Sequence, residues 1–548
     1  MKPGFRLIAA LFGACMLAGS VPAISAGRAE IADPIANPPA GRLQGVREGD
    51  AIVFRAVPYA LPPVGDRRWR PPVAMPRWDG VRAAKLAGPA CMQPPMGGGP
   101  YDRGSPKMDE DCLTLDVTAP ANARNAPVMV WIHGGTLIWG TAQSKMYDGR
   151  EFAKRGIVLV SINYRLGVLG YLAHPGLSKV SPEGISGNYG LLDQIAALKW
   201  VRANIAAFGG NPRNVTVFGE SAGALSVEYL LASPPARGLF DKAIVESGYL
   251  FTMPELRTAH YEEQSAESIG AALAKRLGAP DVAALRAMDA RKLVNSATGY
   301  VPYGTIDGKI LKRQLVDTFD RGEEAPVPLI AGFNSGEIRS LRFLLPPLPA
   351  DAATYEKTIR ARYGDLADAW LKLYPASNLA QTQLAAARDA VFGWTAERLV
   401  RKQAALGQRS YLYFFSHSYP SELAADLAAF HASEVPFVFG TFADTPGGWP
   451  HIPDTADERS LSAAMLDYWT SFARNAVPTS AKGPEWKPFA VKASYMHFAD
   501  KPYLSRDLMP GMYDLHEQIM ARRRASGVQS WNWRTAATAP VLPRDDRR

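Results

Sequence analysis

Gly219-Glu220-Ser221-Ala222-Gly223 sets a serine between glycines two residues away on either side. An apolar run at 215–218 precedes it, and Ala224 to Leu231 follows at helical spacing. Strand, sharp turn and helix in that order make a nucleophile elbow, in which flanking glycines remove the side chains that would block the turn. A serine hydroxyl is a weak nucleophile until a base takes its proton, and its attack on an acyl carbon creates an oxyanion that needs donors. The helix that follows brings partial positive charge to that end. His133-Gly134-Gly135-Thr136 closes an earlier apolar run. Glycines there let backbone N–H groups come close to a bound carbonyl oxygen. Gly134, Gly135 and Thr136, with the N–H of Ala222, are therefore the expected oxyanion hole. The chemistry such a set of groups would serve is acyl transfer. For a serine on such an elbow the acid and then the histidine come later in the chain. Of the eight histidines, that order leaves His417, His431, His451, His497 and His516 open.

Elements must hold these groups in place. Short apolar runs at 127–132, 156–162, 215–218, 243–247 and 327–331, bounded by glycine and proline, read as buried strands. Leu191, Leu192, Ile195, Leu198, Val201 and Ile205 recur at helical spacing over 191–208. Strands alternating with helices predict an α/β fold with a large, mostly parallel sheet and helices on both faces. We read 27–525 as one domain and 526–548 as a polar C-terminal tail, ordered only in part.

With 548 residues, 47% hydrophobic and 21% charged, the chain has material for a large core. Its net charge of +9 is not gathered into a basic run with interleaved aromatics, which argues against a nucleic-acid partner. No metal-ligand spacing and no nucleotide or flavin motif occurs, so no metal or cofactor is expected. Lys2 and Arg6, an apolar stretch at 7–18 and small residues up to Ala26 predict a secretory signal peptide over 1–26. The expected location is periplasmic or secreted, with no membrane span. In an oxidising compartment Cys91 and Cys112 are expected to pair. The bond would close a Gly- and Pro-rich loop, restricting it by about 3 kcal/mol in the chain-entropy model.

The residues also resemble a known family, the type-B carboxylesterases, which include the cholinesterases. The resemblance runs through Phe54-Arg55-Ala56-Val57-Pro58-Tyr59, Glu110-Asp111-Cys112-Leu113, Asn163-Tyr164-Arg165-Leu166-Gly167, Gly187-Asn188-Tyr189-Gly190, Phe208-Gly209-Gly210-Asn211-Pro212, the elbow itself and Tyr468-Trp469-Thr470-Ser471-Phe472. It implies an α/β-hydrolase fold and the Cys91–Cys112 disulfide. It implies His431 as the base, in a segment reading on to Phe439-Gly440, and Glu337 as the acid, ending Gly332-Phe333-Asn334-Ser335-Gly336-Glu337. Ser247 and Glu220 are expected to support that machinery, and Glu434 to be a buried structural acid. Asp307 reads as turn chemistry.

This chain departs from the family pattern twice. Thr136 stands where glycine or alanine is usual, and Ile338 follows the acid where glycine is usual. Arg339 and Arg342 then come next, either to meet an anionic substrate or as a solvated face. The expected activity is that of an exported serine carboxylesterase acting on small-molecule esters through an acyl-enzyme, rising with pH through roughly 6 to 7.5 as the histidine becomes neutral. A lipase, amidase or lactonase would use the same groups, whereas binding members of the family commonly lack the serine or its partners. The loop from Cys91 to Cys112 carries Tyr101 as its only aromatic and no tryptophan, so no preference for choline esters is expected.

Overall fold

The computed structural model describes residues 33–102, 104, 106–531 and 534–544, so the signal segment lies outside the described residues. The chain from Pro34 onward forms one compact unit. Its centre is an eleven-stranded sheet. In chain order the strands are β1 (Val46–Glu48), β2 (Ala51–Pro58), β3 (Thr114–Pro120), β4 (Ala126–Ile132), β5 (Val158–Ile162), β6 (Gly210–Glu220), β7 (Lys242–Glu246), β8 (Leu329–Asn334), β9 (Ser410–Phe415), β10 (Ser494–Phe498) and β11 (Pro502–Arg506). Across the sheet they run β11-β10-β9-β8-β7-β6-β4-β5-β3-β2-β1. Every pair from β10 to β5 is parallel, while β11 and β3 to β1 join antiparallel at the edges. All five strands expected from the apolar runs lie in the parallel part.

Alternation along the strands divides the core. On β4, Val128, Val130 and Ile132 enter one cluster with Val217, Val245 and Ala331 of the neighbouring strands. Met129 and Trp131 enter the other, with Phe218, Ile244 and Ile330. The first face is covered by α1 (Tyr189–Asn204), α2 (Ala222–Ala232), α3 (Trp394–Ala405) and residues Met512 and Met520 of α6 (Met512–Ala525). The second is covered by α4 (Val435–Phe439) and α5 (Ala456–Asn475). Both faces are buried, which is why the central strands read as unbroken apolar runs. The helical spacing seen to Phe208 covers α1 and a closing 3-10 turn, Ile205–Phe208.

The described residues of the C-terminal segment pack on this body. Trp531 is buried, its indole N–H on the Leu250 carbonyl at 3.2 Å, and Leu542 donates its N–H to Arg362 at 2.7 Å. No helix of the described residues is long and apolar enough to cross a membrane.

Candidate active site

The elbow forms because β6 ends beside β4 and β7 and the chain reverses within one residue. Ser221 has φ 57° and ψ −121°, outside the ordinary regions for an L-residue. Its N–H donates to the Glu246 carbonyl at the end of β7 (2.9 Å), and its carbonyl accepts the N–H of Leu225 in α2 (2.9 Å). Those bonds, together with close packing, hold the turn. A Cβ added at Gly223 would collide with the Ile132 carbonyl on β4, and one at Gly219 would meet Gly223 itself and the same oxygen at 2.6 Å. Glycine at both positions is thus required by backbone approach.

Ser221 opens onto a cavity of about 1640 Å³. Gly134, Gly135 and Thr136 line it, and so do Glu220, Tyr101, Trp139, Trp449 and Phe392. The strip after β4 lies directly against the elbow, since a Cβ on Gly134 would come 3.2 Å from the Ser221 Cβ. Gly135 has φ 107°, which favours glycine, and a Cβ there would also collide with the Trp139 backbone. Thr136 is exposed to the cavity at φ 54°, and its hydroxyl donates back to the Gly135 carbonyl at 2.8 Å. Ala222 is the first residue of α2, next to Ser221.

Of the histidines among the described residues, only His431 lines the cavity. His417 is engaged elsewhere, with Glu458 at 2.6 Å and Asp500 at 3.0 Å. His516 sits on the Tyr374 hydroxyl, and burial lowers its pKa to about 4. Nδ1 of His431 meets Glu337 Oε2 at 2.5 Å. Glu337 is fully buried and its other oxygen accepts from Ser247 Oγ (2.6 Å) and from the Asn334 N–H (2.8 Å). Nε2 of His431 lies 3.1 Å from Glu220 Oε1, and no hydrogen bond joins it to Ser221 Oγ among the described residues. Burial disfavours the charged imidazole, but Glu220 and Glu337 outweigh that and hold its pKa up at about 9.

Behind this pair lie two buried acids, Glu434, expected from the family resemblance, and Glu246, which the sequence did not mark. Glu246, under the elbow, accepts from the Trp469 indole at 2.8 Å, and burial pushes its pKa to about 8. Glu434 accepts from the Asn334 amide, and burial together with Glu220, Glu246 and Glu337 drives it well above the carboxylate range. Ser247 was expected from the family resemblance, whereas nothing in the spacing marked Glu246 as part of the site.

Cys91 and Cys112 are joined, with their Cα atoms 5.0 Å apart. Asp307 accepts the N–H groups of Lys309 and Ile310, the expected turn. Arg339 and Arg342 both pair with Asp426 and neither lines the cavity, so they do not face a substrate there. Among the described residues no group of His, Cys, Asp and Glu is arranged to hold a metal ion.

Comparison with known proteins agrees with this architecture. The carboxylesterase family model matches residues 32–514. The chain is 36% identical over 487 residues to fumonisin B1 esterase of Sphingopyxis macrogoltabida, covering 84% of this chain and 85% of that protein. It is 34% identical over 460 residues to para-nitrobenzyl esterase of Bacillus subtilis, covering 82% and 91%. A solved PNB esterase superposes with a TM-score of 0.75 at 31% identity, over 88% of this chain and 99% of that one. The chain therefore belongs to the carboxylesterase family and is a carboxylic-ester hydrolase of the α/β-hydrolase fold.

Proposed function

We propose that the protein is an exported serine carboxylesterase in which Ser221 is the nucleophile, His431 the base and Glu337 the acid that orients it. The observation that carries this reading is the placement of Ser221 and His431 on one cavity, with the far ring nitrogen of His431 held by a buried glutamate at 2.5 Å. Glu337 fixes the proton on Nδ1 and leaves Nε2 to act. To do so Nε2 turns from Glu220 to the serine hydroxyl, a tightening expected when substrate fills the site. Ser221 Oγ then attacks the ester carbonyl and its proton passes to Nε2. The N–H groups of Gly134, Gly135, Thr136 and Ala222 receive the oxyanion. Collapse of the tetrahedral intermediate returns the proton to the departing alcohol and leaves an acyl-Ser221. Water repeats the sequence and releases the acid.

A cavity of about 1640 Å³ exceeds the usual range for small-molecule sites, which suits bulky esters. The relatives named fumonisin B1 esterase and para-nitrobenzyl esterase support ester hydrolysis as the reaction. The signal-like segment at 1–26 and the Cys91–Cys112 bond support export.

The test is turnover of an aryl ester by purified protein and by Ser221→Ala. The variant should stay folded and lose at least ~1000-fold in kcat. His431→Ala should match it, and Glu337→Gln should lose ~100-fold or more. Near-normal turnover by Ser221→Ala, in a preparation free of other esterases, rejects the assignment.

A further inference from the structure

The loop closed by Cys91 and Cys112 touches the catalytic groups at more points than the closure of a cavity wall needs. Tyr101, on this loop, donates its phenol O–H to the backbone carbonyl of His431 at 2.8 Å. The same oxygen lies 2.7 Å from Ser340 Oγ. A carbonyl can only accept, and a phenol has one proton, so Ser340 must donate to Tyr101. Ser340 follows the turn Glu337–Arg339 that carries the acid. One hydroxyl therefore links the acid-bearing and the base-bearing loops on the cavity side. On the other side they are joined by backbone, Gly336 N–H to the Ala429 carbonyl at 2.8 Å, and by the Asn334 amide on the Phe430 carbonyl at 2.9 Å.

The loop is itself anchored to the segment that follows the oxyanion strip. The Gln93 amide pairs both ways with Gly140, 2.9 Å to its carbonyl and 3.0 Å from its N–H. The Trp139 indole donates to the Pro94 carbonyl at 3.0 Å. The Tyr101 ring stands edge-on to Trp449 (6.1 Å) and to His431 (6.4 Å). Burial drives the phenol well above its ordinary pKa, so it remains a donor across the working pH range.

We propose that Tyr101 is a positioning residue, through which the disulfide-closed loop sets the base and acid loops in register with the oxyanion strip. This rests on the assignment of His431 and Glu337 as base and acid. The disulfide stiffens the loop between the Gln93 anchor and Tyr101. Tyr101 in turn restrains the His431 backbone against drift away from Glu337 and Ser221. Misplacement of a reacting group by about 1 Å costs ~100-fold, so a partial loss of restraint should cost ~10-fold. The loss should fall on kcat, because among the described residues the phenol oxygen bonds only to the two loops.

Tyr101→Phe keeps the ring and removes only the oxygen. Its kinetics on a primary aryl ester are normalised to active sites counted with a serine-reactive phosphonate, so unfolded protein does not contribute. The expected result is kcat down ~10-fold, KM within about twofold, and the acid limb of kcat moved down toward the ordinary histidine value, because the contact with Glu337 loosens. Ser340→Ala should show a smaller change of the same sign, and the double variant should be no worse than Tyr101→Phe alone, since both act through one bond chain. A Cys91→Ser/Cys112→Ser protein should also lose kcat, and by less once Tyr101 is already Phe. Loss of turnover in His431→Ala and in Glu337→Gln establishes the underlying assignment in the same assay. Against it, a Tyr101→Phe protein with wild-type kcat and an unmoved acid limb overturns the proposal, as does full additivity of Tyr101→Phe with Ser340→Ala.

Discussion

Glu220 Oε1 lies 3.1 Å from Nε2 of His431, the nitrogen that serves Ser221 in the proposed mechanism. This sets the direction of the pH dependence. A base acts only when neutral, so activity rises as pH rises through its folded pKa. Glu220 and Glu337 hold that pKa at about 9 in the free protein, above the ordinary histidine range expected from the sequence alone. The acid limb of kcat/KM, which reports the free enzyme, should thus sit higher than that range. Replacing Glu220 by Gln removes one of the two charges, and the limb should move down by about one pH unit. A profile of kcat/KM against pH on a neutral ester shows this, and an unchanged midpoint in Glu220→Gln rejects the coupling. Thr136 poses a steric question at the same scale. It is β-branched, stiff and exposed to the cavity beside the oxyanion strip. Primary esters should react normally, while crowded tertiary alkyl esters should be turned over ~100-fold less well. Thr136→Gly should recover much of that loss. If the ratio of kcat/KM for a matched primary and tertiary pair does not change, Thr136 has no steric role.

At the scale of elements, the elbow depends on how closely β6, β4 and α2 approach. Gly223 has no room for a methyl group, because the Ile132 carbonyl occupies the place. Gly223→Ala should force these elements apart and destabilise the protein by about 3 kcal/mol. A glycine in open space gives the control. Gly278, at φ 71° with nothing near it, should carry only the conformational penalty on conversion to alanine, ~1 kcal/mol. Urea midpoints for the two variants separate clash from strain, and equal shifts contradict the close approach.

At the scale of the molecule, the C-terminal segment closes over the wall that carries the cavity. Trp531 binds the Leu250 carbonyl through its indole and takes the Thr252 hydroxyl oxygen on its backbone N–H at 3.0 Å. Between them, Phe251 lines the cavity, as does Tyr249. Trp531→Ala should cost about 3 kcal/mol from lost burial alone. By freeing Tyr249 and Phe251 it should raise KM for bulky esters several-fold while leaving compact esters less affected. Thermal melting and KM across an ester size series check both parts. An unchanged melting temperature shows that the segment does not brace the body.

Features that depend on neighbours in the chain were legible in the sequence. The elbow is a local demand of backbone geometry, so Gly219, Ser221 and Gly223 announced it. The parallel strands are buried on both faces, so 127–132, 156–162 and 215–218 stood out as apolar runs. Elements of weak pattern were not visible this way, such as β1 and β11 at the solvated edges. Residue order and type left several histidines open, and only the resemblance to a family singled out His431. The tertiary structure brings His431 and Glu337, 94 residues apart, to 2.5 Å, and sends His417 to Glu458 instead. It also gathers Glu246 and Glu434 behind the imidazole, turns Arg339 and Arg342 onto Asp426, and lays Tyr101 across two loops more than two hundred residues away. Burial and long-range proximity set the charge and restraint of each of these groups. Neither is written in local sequence, because both arise only when the sheet and its loops close around one another.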